Sequence, residues 1–199
     1  MNSELERRLK EGDQSAFGEL FTLHRPRIWQ IINFRLSDRI RGRLDPDDVV
    51  QDVFLEAEKR LEHYFDGDFP SLFLWLRLVT NQTLSKIHRT HLGTEARDAA
   101  REATRSPQKG WGDTSLCLSR CFVAHITSPS QAAVRGELLQ EVKQALESMS
   151  EMDREVVALR HFEELTNQEV AVELGIQPKA ASIRYMRALQ RLRSVLERL

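Results

Sequence analysis

The chain has 199 residues, 41% of them apolar, and its 29 lysines and arginines nearly cancel 30 acids. That length can bury one or two small cores, and a net charge near zero gives no overall bias toward a polyanionic partner. No run of eighteen apolar residues and no basic-then-apolar leader occurs, and the only cysteines are Cys117 and Cys121, so a reduced, cytoplasmic protein without membrane insertion is expected.

Nine glycines, six prolines and few alternating β-branched runs argue against sheets, while three- and four-residue spacing of apolar side chains recurs almost throughout. The fold class is all-α. Charge is informative by segment, because electrostatics acts over about a Debye length of ~8–10 Å. Asp45 to Glu58 holds six acids and no lysine or arginine; Gly175 to Leu199 holds six cations and one acid. Phe69 to Thr94 carries Arg77, Lys86, Arg89, His88 and His91 and no acid. Two signs on separate segments predict at least two kinds of partner.

Ser3 is a candidate cap for a first short helix and Asp13 for a second, along which Phe17, Leu20, Phe21, Ile28, Ile31 and Ile32 recur and which Pro26 should kink or divide. A third begins at "LDPDDVVQDVFLEAEKRLEHY", with Asp45 as cap, Pro46 at the first helical position and acids in the first turn. After the turn "FDGD", a strongly apolar helix is expected from about Pro70 to His91, ending at Gly93. Residues 1–92 read as one helical bundle, 93–133 as a linker with room for short helices, and 134–199 as a second helical domain.

In that second domain Leu138, Leu139, Val142, Leu146 and Met149 share a face, and Ser150 followed by Asp153 marks another start. Thr166 with Glu169 is a capping box, Gly175 a left-handed stop and Pro178 the opening of a last helix, the layout of a helix-turn-helix. Ala181, Tyr185, Leu189, Leu192 and Leu196 should face the core. Lys179, Ser182, Ile183, Met186, Arg187, Gln190 and Arg191 should remain near the surface, on a face able to enter a major groove. Arg187 can make a two-pronged contact to guanine, and Lys179, Arg184 and Arg191 are suited to phosphates.

"DPDDVVQDVFL" resembles region 2.2 of sigma-70 family factors, especially the small extracytoplasmic-function group. "FPSLFLWLRLVTNQTLSKIHR" resembles regions 2.3 and 2.4 through Trp75, Leu76 and Asn81, and the segment from Met152 to Arg193 resembles region 4 through Ala171, Leu174 and Gly175. The resemblance covers nearly the whole chain except the linker. It implies a region 2-like bundle and a region 4-like helix-turn-helix domain, with core RNA polymerase and promoter DNA as partners and an anti-sigma factor as regulator. By the same resemblance Asp48, Gln51, Asp52, Phe54, Leu55 and Glu58 grip the polymerase, where the acids and the apolar Val50, Phe54 and Leu61 suit a basic coiled coil. Asn81, Ser85, Lys86 and Arg89 meet unpaired −10 bases, with Phe65 or Phe69 available for stacking. The −35 element falls to Lys179, Ser182, Ile183, Arg184, Met186, Arg187 and Arg191. Ser85 stands where the family commonly has an acid, and "KAAS" at 179–182 where many members have a Gly-Thr-Val-Lys type segment, so promoter preferences do not transfer.

Cys117, Cys121 and His125 repeat at four-residue spacing and would share a helix face, but no fourth ligand accompanies them; packing is the favoured role. Neither a Gly-rich phosphate loop nor a nucleophile elbow is present, so no enzyme, metal or cofactor is expected. The function expected is promoter-directed transcription initiation with core polymerase. A polymerase-independent helix-turn-helix regulator and a protein-binding helical adaptor are the alternatives.

Overall fold

Asp13 closes the amino end of the first long helix, accepting from the Ser15 amide at 3.0 Å and its hydroxyl at 2.6 Å while Arg8 holds its other oxygen at 2.7 Å. Those bonds, Ser15's first and Arg8's next, hold the Asp13 carboxyl down at about 2. The computed structural model describes residues 2–91, 114–126 and 132–197, and among them every regular element is helical. The chain divides into two compact units, residues 1–111 and 112–199.

In the first unit α1 is Asn2–Lys10, α2 Gln14–Arg35, α3 Asp38–Arg41, α4 Pro46–Lys59, α5 Leu61–Asp66 and α6 Leu72–His91. α1 begins one residue before Ser3, the expected cap. α2 packs on α1, α4 and α6, burying Phe17, Leu20, Ile28 and Ile32 against Val53, Ala57, Leu72 and Leu76. Each such large side chain contributes ~1.5–3 kcal/mol by leaving water. Of the two outcomes expected of Pro26, a kink or a division, the division does not occur. Pro26 lies inside a continuous helix on the exposed side, one turn after Thr22, whose carbonyl a proline at this position cannot pair as an amide donor would.

The acidic segment is not one helix through Tyr64. Arg60, at φ −114° and ψ 16°, leaves helical geometry and separates α4 from α5. Behind α5, Tyr64 lies 5.4 Å from Trp75 and 6.3 Å from Phe69 between ring centroids. Gly67 makes this possible, because a Cβ there would overlap the Phe69 ring and stand 2.9 Å from the His63 carbonyl oxygen. Burial pushes the Tyr64 phenol above its ordinary range, with Glu6 adding to the effect.

In the second unit α7 is Thr114–Ile126, α8 Ala132–Glu147, α9 Glu151–Val157, α10 Asn167–Leu174 and α11 Pro178–Leu196. α7 lies within residues 93–133, the segment expected to be a linker with room for short helices. It packs along α8 and against α9, burying Cys117, Leu118, Ser119 and Val123, with Phe122 edge-on to Phe162 at 5.7 Å and the Thr114 hydroxyl 2.9 Å from Glu155. Its buried stripe includes small polar residues, so the usual contrast between apolar and charged faces is faint in the sequence.

α9 passes into a single π turn, Ala158–Phe162, closed by the Glu163 amide on the Ala158 carbonyl at 3.0 Å. The chain then reverses through Glu164, at φ 54° the one non-glycine in left-handed geometry among the described residues. Arg160 steadies the turn by donating to the Leu165 carbonyl at 2.5 Å.

Two substitutions report on these turns. Gly67→Ala should destabilise the first unit by ~1–3 kcal/mol through overpacking against Phe69, lowering the urea midpoint. Glu164→Gly should raise the melting temperature of the second unit, adding ~0.5–1 kcal/mol as the left-handed penalty is relieved.

Candidate functional site

On α4, burial of Val49, Val50, Val53 and Ala57 turns the opposite face outward, so Asp48, Gln51, Asp52 and Glu58 are exposed and Leu55 is 47% exposed between them. Pro46 at the first helical position and Asp45, accepting from the Asp47 amide at 2.9 Å, start the helix, and the first-turn acids meet its positive end. Phe54 is half-buried, stacked on Phe17 at 5.5 Å and edge-on to Phe21 at 5.0 Å. Of the apolar anchors expected beside the acids, Val50 belongs to the core and Leu61 is half-buried; Leu55 is the exposed one.

The sequence reading missed the contribution of α2. Gly18, Phe21, Thr22 and Arg25 form one wall of an open cleft of about 540 Å³, with Val50, Gln51, Phe54 and Leu55 on the other. Arg25 and Asp47 pair at 2.5 Å across its rim. The available signal was Gly18, a glycine inside an apolar helical pattern, above which there is open space for a Cβ. Glu56 departs from the other acids: 22% exposed, it turns toward α6, binding Arg60 at 2.5 Å and lying 3.9 Å from Lys86.

α6 is buried around most of its circumference. Its exposed stripe runs through Leu78, Gln82, Lys86 and Arg89, with Ser85 half-buried at its edge. Asn81, one of the residues expected to meet a base, is instead 1% exposed and its Oδ1 has no hydrogen-bond partner among the described residues. Arg77, one of the cations of this acid-free segment, is 3% exposed. Both lie about 100° per residue away from the stripe positions that follow them, which places them against the bundle. Phe73 and Trp75 are core residues, with the Arg27 guanidinium 3.4 Å above the Phe73 ring. Of the two candidates for stacking, Phe69 is half-buried on Tyr64, whereas Phe65 is 44% exposed.

The turn between α10 and α11 is built as its residues dictate. Thr166 and Glu169 exchange hydrogen bonds at 2.7 and 3.2 Å, forming the expected capping box. Gly175 takes φ 62° and ψ 35°, letting the Ile176 amide return to the Ala171 carbonyl at 2.9 Å. Val170, Ala171, Ala181, Ala188 and Leu192 are buried, Tyr185 and Leu189 half-buried; the Leu196 side chain lies outside those described. Lys179, Ile183, Met186, Arg187 and Gln190 are exposed, and Ser182 is half-buried. Arg184 and Arg191, expected on phosphates, both reach Asp153 of α9, at 3.2 and 3.3 Å.

Cys117 is a buried thiol and Cys121 a half-buried one, not bonded to each other. The His125 side chain lies outside those described, and among the described residues no group of three or more histidine, cysteine or acidic side chains is arranged to hold a metal. No described helix is long and apolar enough to cross a membrane.

A family model described as sigma-70, region 4, matches residues 139–192. The ECF RNA polymerase sigma factor SigD of Mycobacterium tuberculosis is 27% identical over 182 residues, 92% of this chain and 77% of that protein. The ECF RNA polymerase sigma factor SigW of Bacillus subtilis is 24% identical over 190 residues, 96% of this chain and 94% of its own. Myxococcus xanthus RNA polymerase sigma factor CarQ is 27% identical over 191 residues, 95% and 94% of the two chains. Among solved structures, CnrH in complex with the cytosolic domain of CnrY aligns over 97% of this chain and 95% of that one, with a TM-score of 0.50 and 23% identity. The structural likeness is one of fold.

Proposed function

We propose that this chain is a sigma-70 family factor of the extracytoplasmic-function group, which binds core RNA polymerase in the cytoplasm and directs it to promoters by reading −10 and −35 DNA. Its role is in transcription initiation; nucleotide addition belongs to the polymerase. The observation that carries the reading is the outward face of α4, where Asp48, Gln51, Asp52, Leu55 and Glu58 flank a cleft walled by Phe54. A basic coiled-coil rod finds charge there for steering and register, and apolar surface for retention.

The same unit offers DNA an acid-free stripe on α6. Lys86 and Arg89 supply charge, Ser85 a hydroxyl, and Phe65 an exposed ring of the kind on which an unstacked base rests. The ion pair between Lys86 and Glu56 is solvent-exposed on the lysine side and weak enough to yield to a phosphate. In the second unit the exposed Lys179, Ile183, Met186 and Arg187 and the half-buried Ser182 of α11 would meet the −35 duplex, Arg187 being suited to guanine and Lys179 to phosphate. CnrH was solved with the cytosolic domain of another protein, CnrY. For this chain, a regulatory protein partner that covers the proposed polymerase-facing surface is part of the proposal.

Run-off transcription with purified core polymerase and genomic templates, followed by start-site sequencing, tests the whole reading: this chain should create defined start sites that core alone lacks, and no chain-dependent start would refute it. Charge reversal in Asp52→Lys should weaken core binding by at least ~10-fold while leaving the helical circular dichroism unchanged. Arg187→Ala should cost ~1–3 kcal/mol at one base position of the −35 element, whereas Lys179→Ala should weaken all duplexes alike and flatten the salt dependence. Equal losses on every sequence from both changes would remove the base-reading role of Arg187.

A further inference from the structure

Five cations lie on α11, and they are not equivalent. Arg193 donates to Glu197 at 2.7 Å. Arg184 and Arg191 donate to Oδ1 and Oδ2 of Asp153, so one carboxylate spans two guanidinium groups two helical turns apart. Lys179 and Arg187 have no acidic partner among the described residues. Asp153 is itself 7% exposed, in the first turn of α9, where its amide donates to the Ser150 hydroxyl at 3.1 Å and leaves the carboxylate for α11.

At about 100° per residue, Lys179, Ile183, Met186 and Gln190 form one exposed stripe, Arg187 stands beside it, and Arg184 and Arg191 lie on the flank nearest α9. A nearly buried acid close to a DNA-facing helix opposes sequence-independent attraction. It does so twice over, by its own charge and by engaging two arginines that would otherwise neutralise phosphates.

We infer that Asp153 is a positioning residue for −35 recognition: it holds Arg184 and Arg191 away from the DNA backbone and thereby leaves a larger share of binding to the side chains that read bases. The inference rests on the proposed DNA-binding role of α11 and names a residue in α9 that regulates it. The Arg184 and Arg191 side chains are 41% and 60% exposed, so loss of the carboxylate leaves both able to swing outward.

The test uses the full chain and a fluorescent random-sequence duplex, with affinity measured by anisotropy from about 50 to 200 mM salt. Asp153→Asn keeps the side chain's size and removes its charge. Affinity for the duplex should rise, and the slope of log affinity against log salt should steepen by up to ~1.8, about 0.9 for each phosphate newly engaged. Adding Arg184→Gln and Arg191→Gln to that variant should restore the original slope, whereas the same two changes in the native background should leave it unaltered. The native-background arms need no substitution at Asp153, so they decide the matter even where Asp153→Asn fails to fold. A native slope that flattens by ~0.9 with either arginine change, or a folded Asp153→Asn with an unchanged slope, overturns the inference. A native chain that holds no duplex at low salt instead sinks the DNA-binding role of α11, and the inference with it.

Discussion

Burying one face of a helix decides what the other can offer, and in this chain that constraint governs every surface of interest. α4 sinks Val49, Val50, Val53 and Ala57, and its acids emerge together with Leu55 on the far side. α11 sinks Ala181, Ala188 and Leu192, which sets Ile183, Met186 and Arg187 outward. α6 carries the constraint furthest: with most of its circumference inside the bundle, only a narrow stripe through Leu78, Gln82, Lys86 and Arg89 remains. The available chemistry follows from helical geometry and core packing before any partner is considered.

Glycines and caps convert those faces into surfaces with fixed directions. The left-handed Gly175 returns the Ile176 amide to α10 and sets the entry of α11, while the Thr166–Glu169 box fixes where α10 begins. Gly67 acts by absence of volume, letting Phe69 fold onto Tyr64 and leaving Phe65 the exposed ring of that corner. In Glu164 the chain takes the same left-handed geometry with a side chain attached, a cost borne where a π turn and the Arg160 bond determine the path.

The parts legible in the sequence were those determined within a few residues. Asp13, Asp45 with Pro46, Ser150 and the Thr166 box each signal a helix start through neighbours, and each caps its helix by its own side chain. The outward face of α4 was legible because its buried positions are all apolar. α7 was not, since a stripe of Ser115, Cys117, Leu118 and Ser119 lacks the contrast that marks amphipathic helices. Asn81 and Arg77 could not be placed, because in a helix buried on most sides a polar residue gives no sign of which side it faces. The Asp153 contacts join residues 31 and 38 positions apart, beyond the reach of any local pattern. The family resemblance was readable from two motifs in the correct order, each too widely shared to suffice alone.

The separation of charge from apolar surface on α4 has a kinetic consequence. Acids along an exposed rod act at a distance, so for a cationic partner they set how often encounters occur, and added salt slows arrival. Leu55 and the Phe54 wall act only on contact, so they govern how long a complex lasts. Arrival and residence are thereby assigned to different side chains of one helix, and substitution can adjust either rate without disturbing the other.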